Sequence, residues 1–456
     1  MPRDVSRASR GIRLVIVAGV AIGNAAGCHF ADDEHPSAPD AGQPAAGDAG
    51  SADACPAGLA GAPCVLALYD RAAACTDAPA LAELHAELDA RAALGPLWAA
   101  GRALFRTPAP LSIAGDWNAW SPSALPAAPL CGDPTLDVGV GAVPTGFHMY
   151  KLSTADGATW TLDAQNPAFA YDDFTGNPDH LNSVLDTPDS GRGHLVDLGS
   201  QCSTTLGNCR DVTAYLPPGY DAPDAAARTY PVMFMHDGQN VWDNHTCCFG
   251  HTGWEINVTL DSEIAAGKVE PIIVVAADNT TARNDEYGLT TSVMDTFMDF
   301  QVHQLQPAEL AVVRGDGARV VIAGSSLGGL VSMQLALRYP DVYSGVASLS
   351  GAFWPGLDDS PPDGLLQQLP ALGKQPVAIY VDSGGATADD SDGAQDTVDV
   401  RDELVALGWQ AATSPDCTRG ESAVCYHLEP GATHDELAWQ ARAWRFLEFL
   451  FPAPAT

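Results

Sequence analysis

An apolar, strand-like run, Val320-Val321-Ile322-Ala323, breaks at Gly324-Ser325-Ser326-Leu327-Gly328-Gly329 and resumes at once as an apolar helical pattern from Leu330 to Arg338. Few backbones accommodate such a sequence. A strand that passes into a helix without a loop must turn sharply, and the residues beside the turn must be small for helix and strand to approach. Gly324 and Gly328 meet that need on either side of Ser326. The turn lifts the serine hydroxyl above the end of the strand and aims the helix N-terminus at it. The backbone N–H of Leu327 then faces any negative charge that develops there. Ser326 is the candidate nucleophile and Leu327 a candidate oxyanion donor.

The surrounding 200–453 stretch alternates strand-like and helix-like segments. Candidate strands are Asp211 to Leu216, Val232 to His236, Ile272 to Ala276, Val320 to Ala323, Gly345 to Ser350, Val377 to Val381 and Val424 to Leu428. Several are continuous apolar runs, as strands buried on both faces require. Helical patterns fall between them at Ser292 to Leu305, Leu330 to Arg338 and Thr397 to Leu407, with a closing helix from Ala438 to Leu450. The pattern predicts an α/β fold of the α/β-hydrolase type, a doubly wound and mostly parallel sheet.

A serine hydroxyl needs a base, and in this fold the chain order is Ser, acid, His. His434, in Gly431-Ala432-Thr433-His434, is the one histidine beyond the last predicted strand, whereas His427 lies on that strand. The acid belongs after the strand ending at Val381, where Asp382, Asp389, Asp390, Asp392 and Asp396 all occur. Spacing alone does not choose among them. A second oxyanion donor is expected from the loop after Met235, His236-Asp237-Gly238-Gln239-Asn240, where Gly238 lets the backbone come close and Gly238 or Gln239 supplies the N–H. The loops around Cys247-Cys248 and Trp254 are expected to shape the substrate pocket.

Upstream, the N-terminus has a signal-peptide layout over residues 1–28: Arg3, Arg7, Arg10 and Arg13, then an apolar run from Leu14 to Gly23, then Ala25-Ala26-Gly27-Cys28. That run is too short for a permanent membrane span. The small-small-Cys ending is similar to a lipobox, which implies lipidation at Cys28 and an exported, envelope-attached or secreted protein. A lipid on Cys28 would be its only membrane attachment. Residues 29–54 are Ala, Gly, Asp and Pro with few large apolar side chains, the composition of a disordered tether. Residues 55–106 are expected to form short helices with a disulfide. Of the 11 cysteines, setting Cys28 aside leaves an even number; Cys64/Cys75, Cys202/Cys209 and Cys417/Cys425 are close enough to close small loops, and Cys247 and Cys248 are adjacent. No cysteine group has zinc spacing, and no metal or organic cofactor is implied. The net charge of −35 repels phosphate backbones and argues against nucleic-acid partners.

Residues 107–190 read as a small β-sandwich. Ala114-Gly115-Asp116-Trp117-Asn118-Ala119-Trp120, Gly146-Phe147-His148-Met149-Tyr150-Lys151, Leu162-Asp163-Ala164-Gln165-Asn166-Pro167 and Asn182-Ser183-Val184 follow in the order in which similar pieces occur in immunoglobulin-like early-set domains. This stretch resembles such a domain. Trp117 and Trp120 are read as packing residues, with sugar stacking as the alternative.

The 200–453 stretch resembles the esterase family of α/β hydrolases that includes esterase D, enterochelin esterases and bacterial feruloyl esterases. The resemblance rests on His236-Asp237-Gly238-Gln239-Asn240; Asp278-Asn279 with Arg283 and Glu286-Tyr287; Ala323 to Leu330; Ala336 to Pro340; Asp382-Ser383-Gly384; and His434 with Trp439. It implies a serine ester hydrolase with Ser326 and His434 in the triad and no cofactor. By spacing to the helix near Thr397 it points to Asp392 as acid, with Asp390 and Asp382 in reserve. It also implies Arg283 and Glu286 at the pocket mouth. The expected substrate is a small-molecule or carbohydrate-linked ester, siderophore lactones included. The alternative is a surface-tethered glycan-binding lipoprotein with a relic hydrolase domain, against which the intact serine, histidine and elbow weigh.

Overall fold

The computed structural model describes residues 61–91, 94–174, 180–245, 247–248, 252–289, 291–357, 362–385, 392–413 and 417–454. The expected signal segment, Cys28 and the 29–54 tether lie outside the described residues, as do Asp389 and Asp390.

Helices α1 (Gly61–Ala72) and α2 (Ala78–Ala90) open the described chain. Asp77 caps α2 by accepting the Ala80 N–H at 3.0 Å. The helical reading of 55–106 holds, among the described residues, only as far as Ala90. Gly95, at a φ of 71°, and Pro96 end it, and the chain continues as strands. These are β1 (Leu97–Ala99), β2 (Arg102–Thr107), β3 (Ser112–Gly115), β4 (Ala128–Pro129), β5 (Asp137–Ala142), β6 (Phe147–Ser153), β7 (Trp160–Thr161), β8 (Ala168–Tyr171) and β9 (Leu181–Asp186). Strands β1-β2-β5-β4 form a four-stranded sheet, and β3, β6, β8 and β9 belong to a second one. The two sheets meet around Phe105, Ile113, Tyr150 and Leu152. Trp117 packs there too, stacked on Phe105 at 6.0 Å. Cys75 pairs with Cys131 across this region, not with Cys64. Fifty-six residues of separation put that pairing beyond any local spacing argument. Cys202–Cys209, Cys247–Cys248 and Cys417–Cys425 are also bonded.

The hydrolase strands are β10 (His194–Ser203), β11 (Asn208–Leu216), β12 (Tyr230–His236), β13 (Ile273–Ala277), β14 (Gly315–Ser325), β15 (Gly345–Leu349), β16 (Ala378–Ser383), β17 (Gln410–Thr413) and β18 (Ala423–Leu428). The sheet runs β17-β18-β16-β15-β14-β12-β13-β11-β10 and continues through β8 into the upstream strands, 14 strands in all. From β17 to β13 every pairing is parallel; β11 and β10 join antiparallel. Strand β10, which begins ahead of residue 200, escaped the periodicity reading. Its solvent-facing half is polar and lacks the apolar run that marks the central strands.

Helices α3 (Ile256–Ala265) and α9 (Glu436–Leu450) cover one face, packing on Met233, Val274, Val321, Ala347 and Tyr380. Helices α4 (Thr291–Phe300), α5 (Gln306–Val312), α6 (Ser326–Arg338), α7 (Leu365–Leu372) and α8 (Ala394–Ala406) belong to the other, whose core includes Val232, Ile273, Ile322, Val346 and Ile379. The alternation of these strand residues between the two cores is the period-two signature of a sheet buried on both sides.

Strand order reverses beside β12: the chain moves from β12 outward to β13, then returns to lay β14 on the other side of β12. At such a switch point the connections diverge and leave a crevice at the carboxyl ends of the strands. The ends of β12 and β14 carry the His236–Asn240 loop and Ser326. The elbow depends on glycine. A Cβ on Gly324 would lie 2.6 Å from the carbonyl carbon and 2.7 Å from the oxygen of Gly328. Both are backbone atoms of the facing helix turn, so neither can give way cheaply. Gly324→Ala is expected to lose about 2–3 kcal/mol of stability, read as a lower denaturant midpoint at unchanged slope. Gly420→Ala, in open space, is expected to lose none.

Candidate active site

Ser326 is the first residue of α6 and has a φ of 55°, the left-handed region that a non-glycine residue occupies only under constraint. The constraint is visible: its carbonyl accepts the Ala352 N–H at 2.9 Å, and Gly324 and Gly328 are in backbone contact beneath it. Leu327 is buried, and its N–H belongs to the first helical turn, where amides lack an intrahelical acceptor.

The His236–Asn240 loop lies against the same turn. Asp237 is also left-handed, with a φ of 61°, and its carboxylate comes within 3.1 Å of where a Cβ on Gly328 would be. Gly238 tolerates no side chain, because a Cβ there would lie 2.7 Å from Asp278 Oδ1 and 2.8 Å from the Ala277 carbonyl carbon. Gln239 is buried and accepts the Asn279 N–H at 3.1 Å. The Asn240 amide donates to Glu436 Oε1 at 3.1 Å, tying the loop to the start of α9.

His434 sits between β18 and α9. Its loop is stitched to the end of β16: Gly385 N–H donates to Ala432 O at 2.9 Å, and Gly431 N–H donates to Gly385 O at 3.0 Å. Gly384 lets the strands come this close, since a Cβ there would lie 2.4 Å from Ala432 O. The stitching brings His434 Nδ1 to 2.5 Å from Asp392 Oδ1, while the imidazole keeps 40% of its side chain exposed. Its ring meets Trp439 edge-on at 5.1 Å, and Trp439 leans on Trp254 at 5.5 Å.

Asp392 is buried, and burial opposes its charge. Hydrogen bonds from His434, from the Ser350 hydroxyl at 2.6 Å and from the Gly384 N–H outweigh that cost and hold the carboxyl below the usual carboxylate range. Asp382, the reserve acid, is otherwise engaged. It is fully buried and accepts from Arg442 Nε at 2.9 Å, Arg442 Nη2 at 3.2 Å, the Ser350 N–H at 3.1 Å and Tyr380 Oη at 3.1 Å. Asp396 lies on α8, and Asp390 lies outside the described residues.

Three expected pocket residues have other surroundings. Glu286 does not line a mouth: it is 0% exposed, and its carboxylate accepts from Arg210 at 3.1 Å and Asn208 at 2.6 Å. The buried guanidinium of Arg210 needs a counter-charge, and Glu286 supplies it. Trp254 is buried behind Trp439 and away from open surface. Arg283 stays partly exposed but spends its guanidinium on Asp237, with Nε at 2.7 Å and Nη2 at 2.8 Å. Asn279 adds a bond to the same carboxylate at 2.7 Å. Burial opposes the Asp237 charge, and the neighbouring Arg283 cation overcomes it, so this carboxyl too is held low.

Sequence reasoning missed Ser350 and Arg442. Ser350 ends a strand-like run like many serines. Arg442 left a signal, an arginine on the stripe Trp439, Ala443, Phe446 and Leu450 that α9 turns inward. A buried arginine demands a buried carboxylate. Among the described residues, no group of three or more His, Cys, Asp or Glu side chains is placed to hold a metal ion, and no helix is long and apolar enough to cross a membrane.

Comparison with known proteins adds relatives to this geometry. The chain is 23% identical over 323 residues to an endo-1,4-beta-xylanase/feruloyl esterase of Xylanibacter ruminicola, covering 68% of this chain and 39% of that protein. It is 28% identical over 179 residues to the iron(III) enterobactin esterase of Dickeya dadantii, covering 38% of this chain and 36% of that one. The chain thus spans well under two thirds of the length of these curated relatives. Among solved structures it is similar to the ferric enterobactin esterase from Salmonella typhimurium, with a TM-score of 0.43, 20% identity, and coverage of 80% of this chain and 98% of that one. Residues 203–444, more than half of the chain, match the family described as "Putative esterase", and the chain belongs to that family.

Proposed function

We propose that this protein is a serine carboxylic-ester hydrolase with Ser326 as nucleophile, His434 as general base and Asp392 as the acid that orients it. Two observations together carry the reading: the 2.5 Å bond from His434 Nδ1 to the buried Asp392, and a left-handed serine at a strand-to-helix elbow. With Nδ1 occupied, the free ring nitrogen is Nε2, the one a serine hydroxyl requires.

The chemistry is two acyl transfers. Ser326 Oγ attacks the ester carbonyl and loses its proton to His434, and the charge passes to the carbonyl oxygen. The N–H groups of Leu327 and of Gly238 or Gln239 stabilise that oxyanion. The intermediate collapses, His434 gives its proton to the departing alcohol, and the acyl group stays on Ser326. Water then repeats the sequence, leaving the carboxylic acid and the free serine. The Arg283–Asp237 pair serves the oxyanion side. It holds Asp237 in its left-handed conformation immediately before Gly238, and it neutralises a carboxylate that would otherwise oppose an oxyanion nearby.

The names of the two curated relatives support siderophore or carbohydrate-linked esters as the substrate class. The disulfide pairs support a site of action outside a reducing cytoplasm. A panel of feruloyl, acetyl-polysaccharide and catecholate-lactone esters separates the possibilities.

Ser326→Ala is expected to abolish hydrolysis of a short p-nitrophenyl ester and labelling by a fluorophosphonate, with the melting temperature unchanged; wild-type turnover in that variant refutes the assignment. Arg283→Met should cost about 3 kcal/mol at neutral pH, because it strands a buried carboxylate, and should lower kcat more than it raises KM. The pH dependence has a definite sign. Asp237 is held low by its partner, so the pair's contribution is present above the carboxylate's unfolded value, about 3.9. It is lost as pH falls through the depressed folded value. The gap between wild type and variant should therefore narrow in acid, which denaturant titrations at neutral and acid pH will show.

A further inference from the structure

Behind Asp392 lies a second buried carboxylate and one buried cation, all three with side chains about 1% exposed or less. Arg442 could pair with either acid. It binds Asp382 through Nε and Nη2, while its Nη2 stops 3.9 Å from Asp392 Oδ2. One atom occupies that gap, Ser350 Oγ. It accepts from Arg442 Nη2 at 2.6 Å and from Trp439 Nε1 at 3.0 Å, and it donates its one proton to Asp392 Oδ2 at 2.6 Å. A hydroxyl has one donor and two acceptor sites, so all three are used. The backbone around it is equally committed. Ser350 has a φ of 44°, its N–H donates to Asp382, and two residues later the Ala352 N–H holds the carbonyl of Ser326. One short loop thus fixes the nucleophile's backbone and the acid's carboxylate.

We propose that Ser350 is a positioning residue whose hydroxyl keeps the Arg442 charge on Asp382 and leaves the charge of Asp392 to His434. The cluster holds two carboxylates and one guanidinium, and a net negative charge favours an imidazolium only if it sits on the carboxylate that faces the ring. Without Oγ, Arg442 Nη2 and Trp439 Nε1 lose their shared acceptor in a buried site. The nearest anion for the guanidinium is then Asp392, at a distance it can close by a small side-chain shift. Among the described residues, the charged and titratable groups around the hydroxyl are Asp382 and Tyr380 from β16, Asp392 from the turn ahead of α8 and Arg442 from α9, with His434 beyond Asp392. Tyr380 stays neutral, because burial and the adjacent Asp382 push its hydroxyl well above the ordinary range.

This inference rests on the proposed roles of Ser326, His434 and Asp392, and its test keeps the two apart. Ser350→Ala and Ser350→Gly both remove the hydroxyl, and the glycine variant also accommodates the left-handed backbone. Each is expected to lower kcat for a p-nitrophenyl ester about tenfold with KM unchanged. Each should also move the acidic limb of the kcat/KM profile to lower pH by roughly half a unit, because a carboxylate shared with Arg442 stabilises an imidazolium less. A merely structural role would reduce active enzyme without moving that limb. Asp382→Asn, which keeps the shape but loosens the hold on Arg442, should move the limb the same way and decides the matter should both Ser350 variants fail to fold. A limb that stays in place or moves upward in folded variants overturns the proposal. Absence of fluorophosphonate labelling of the wild type at Ser326 would instead overturn the catalytic reading beneath it.

Discussion

A parallel sheet buried on both faces leaves its chemistry only one place to go. From β13 to β18 the strands are covered by α3 and α9 on one side and by the α4 to α8 group on the other, so reactive side chains can emerge only at strand ends. The reversal of strand order beside β12 opens those ends into a crevice, and the His236–Asn240 loop and the Ser326 elbow meet there. The glycines at 238, 324, 328 and 384 follow from this packing. Each sits where a loop or helix turn must come within contact distance of another backbone or of a carboxylate.

Burial also sets the electrostatics. Three carboxylates near the crevice, Asp237, Asp382 and Asp392, lie in surroundings that oppose charge. The first two have a guanidinium of their own, from Arg283 and Arg442. Asp392 instead has two neutral donors and His434. That difference separates a structural acid from one able to steady an imidazolium. Two of the acids are each paired with a guanidinium, and the third keeps its charge beside the His434 ring.

Much of this was legible in the chain. The central apolar runs became parallel strands because nothing but a doubly covered sheet buries so many consecutive large residues. The elbow was legible because glycine, serine and the abrupt change of period from two to 3.6 coincide. His434 was legible by its place after the final strand. Where reading failed, a different force was in charge. The pattern after Ala90 was apolar at helical spacing, yet Gly95 and Pro96 broke it and the residues beyond were recruited by pairing with β5. Cys75 found Cys131 through the fold and not through proximity in sequence. Glu286 read as a pocket residue until Arg210 claimed it.

The sequence by itself determined the elbow at Ser326, the central strands with the helices between them, and the histidine that follows the last of those strands, because each of these is a local pattern of side-chain size and period. Only the tertiary structure decided which aspartate meets that histidine. Asp382 and Asp392 stand ten residues apart on the same strand-end segment; the family resemblance favours Asp392, but no local pattern of size or period separates the two. The choice was made by Arg442, sixty residues away from Asp382 on the closing helix. Folding buries that helix against the sheet, and a buried guanidinium must have a carboxylate. Once Asp382 was taken, the other remained for His434.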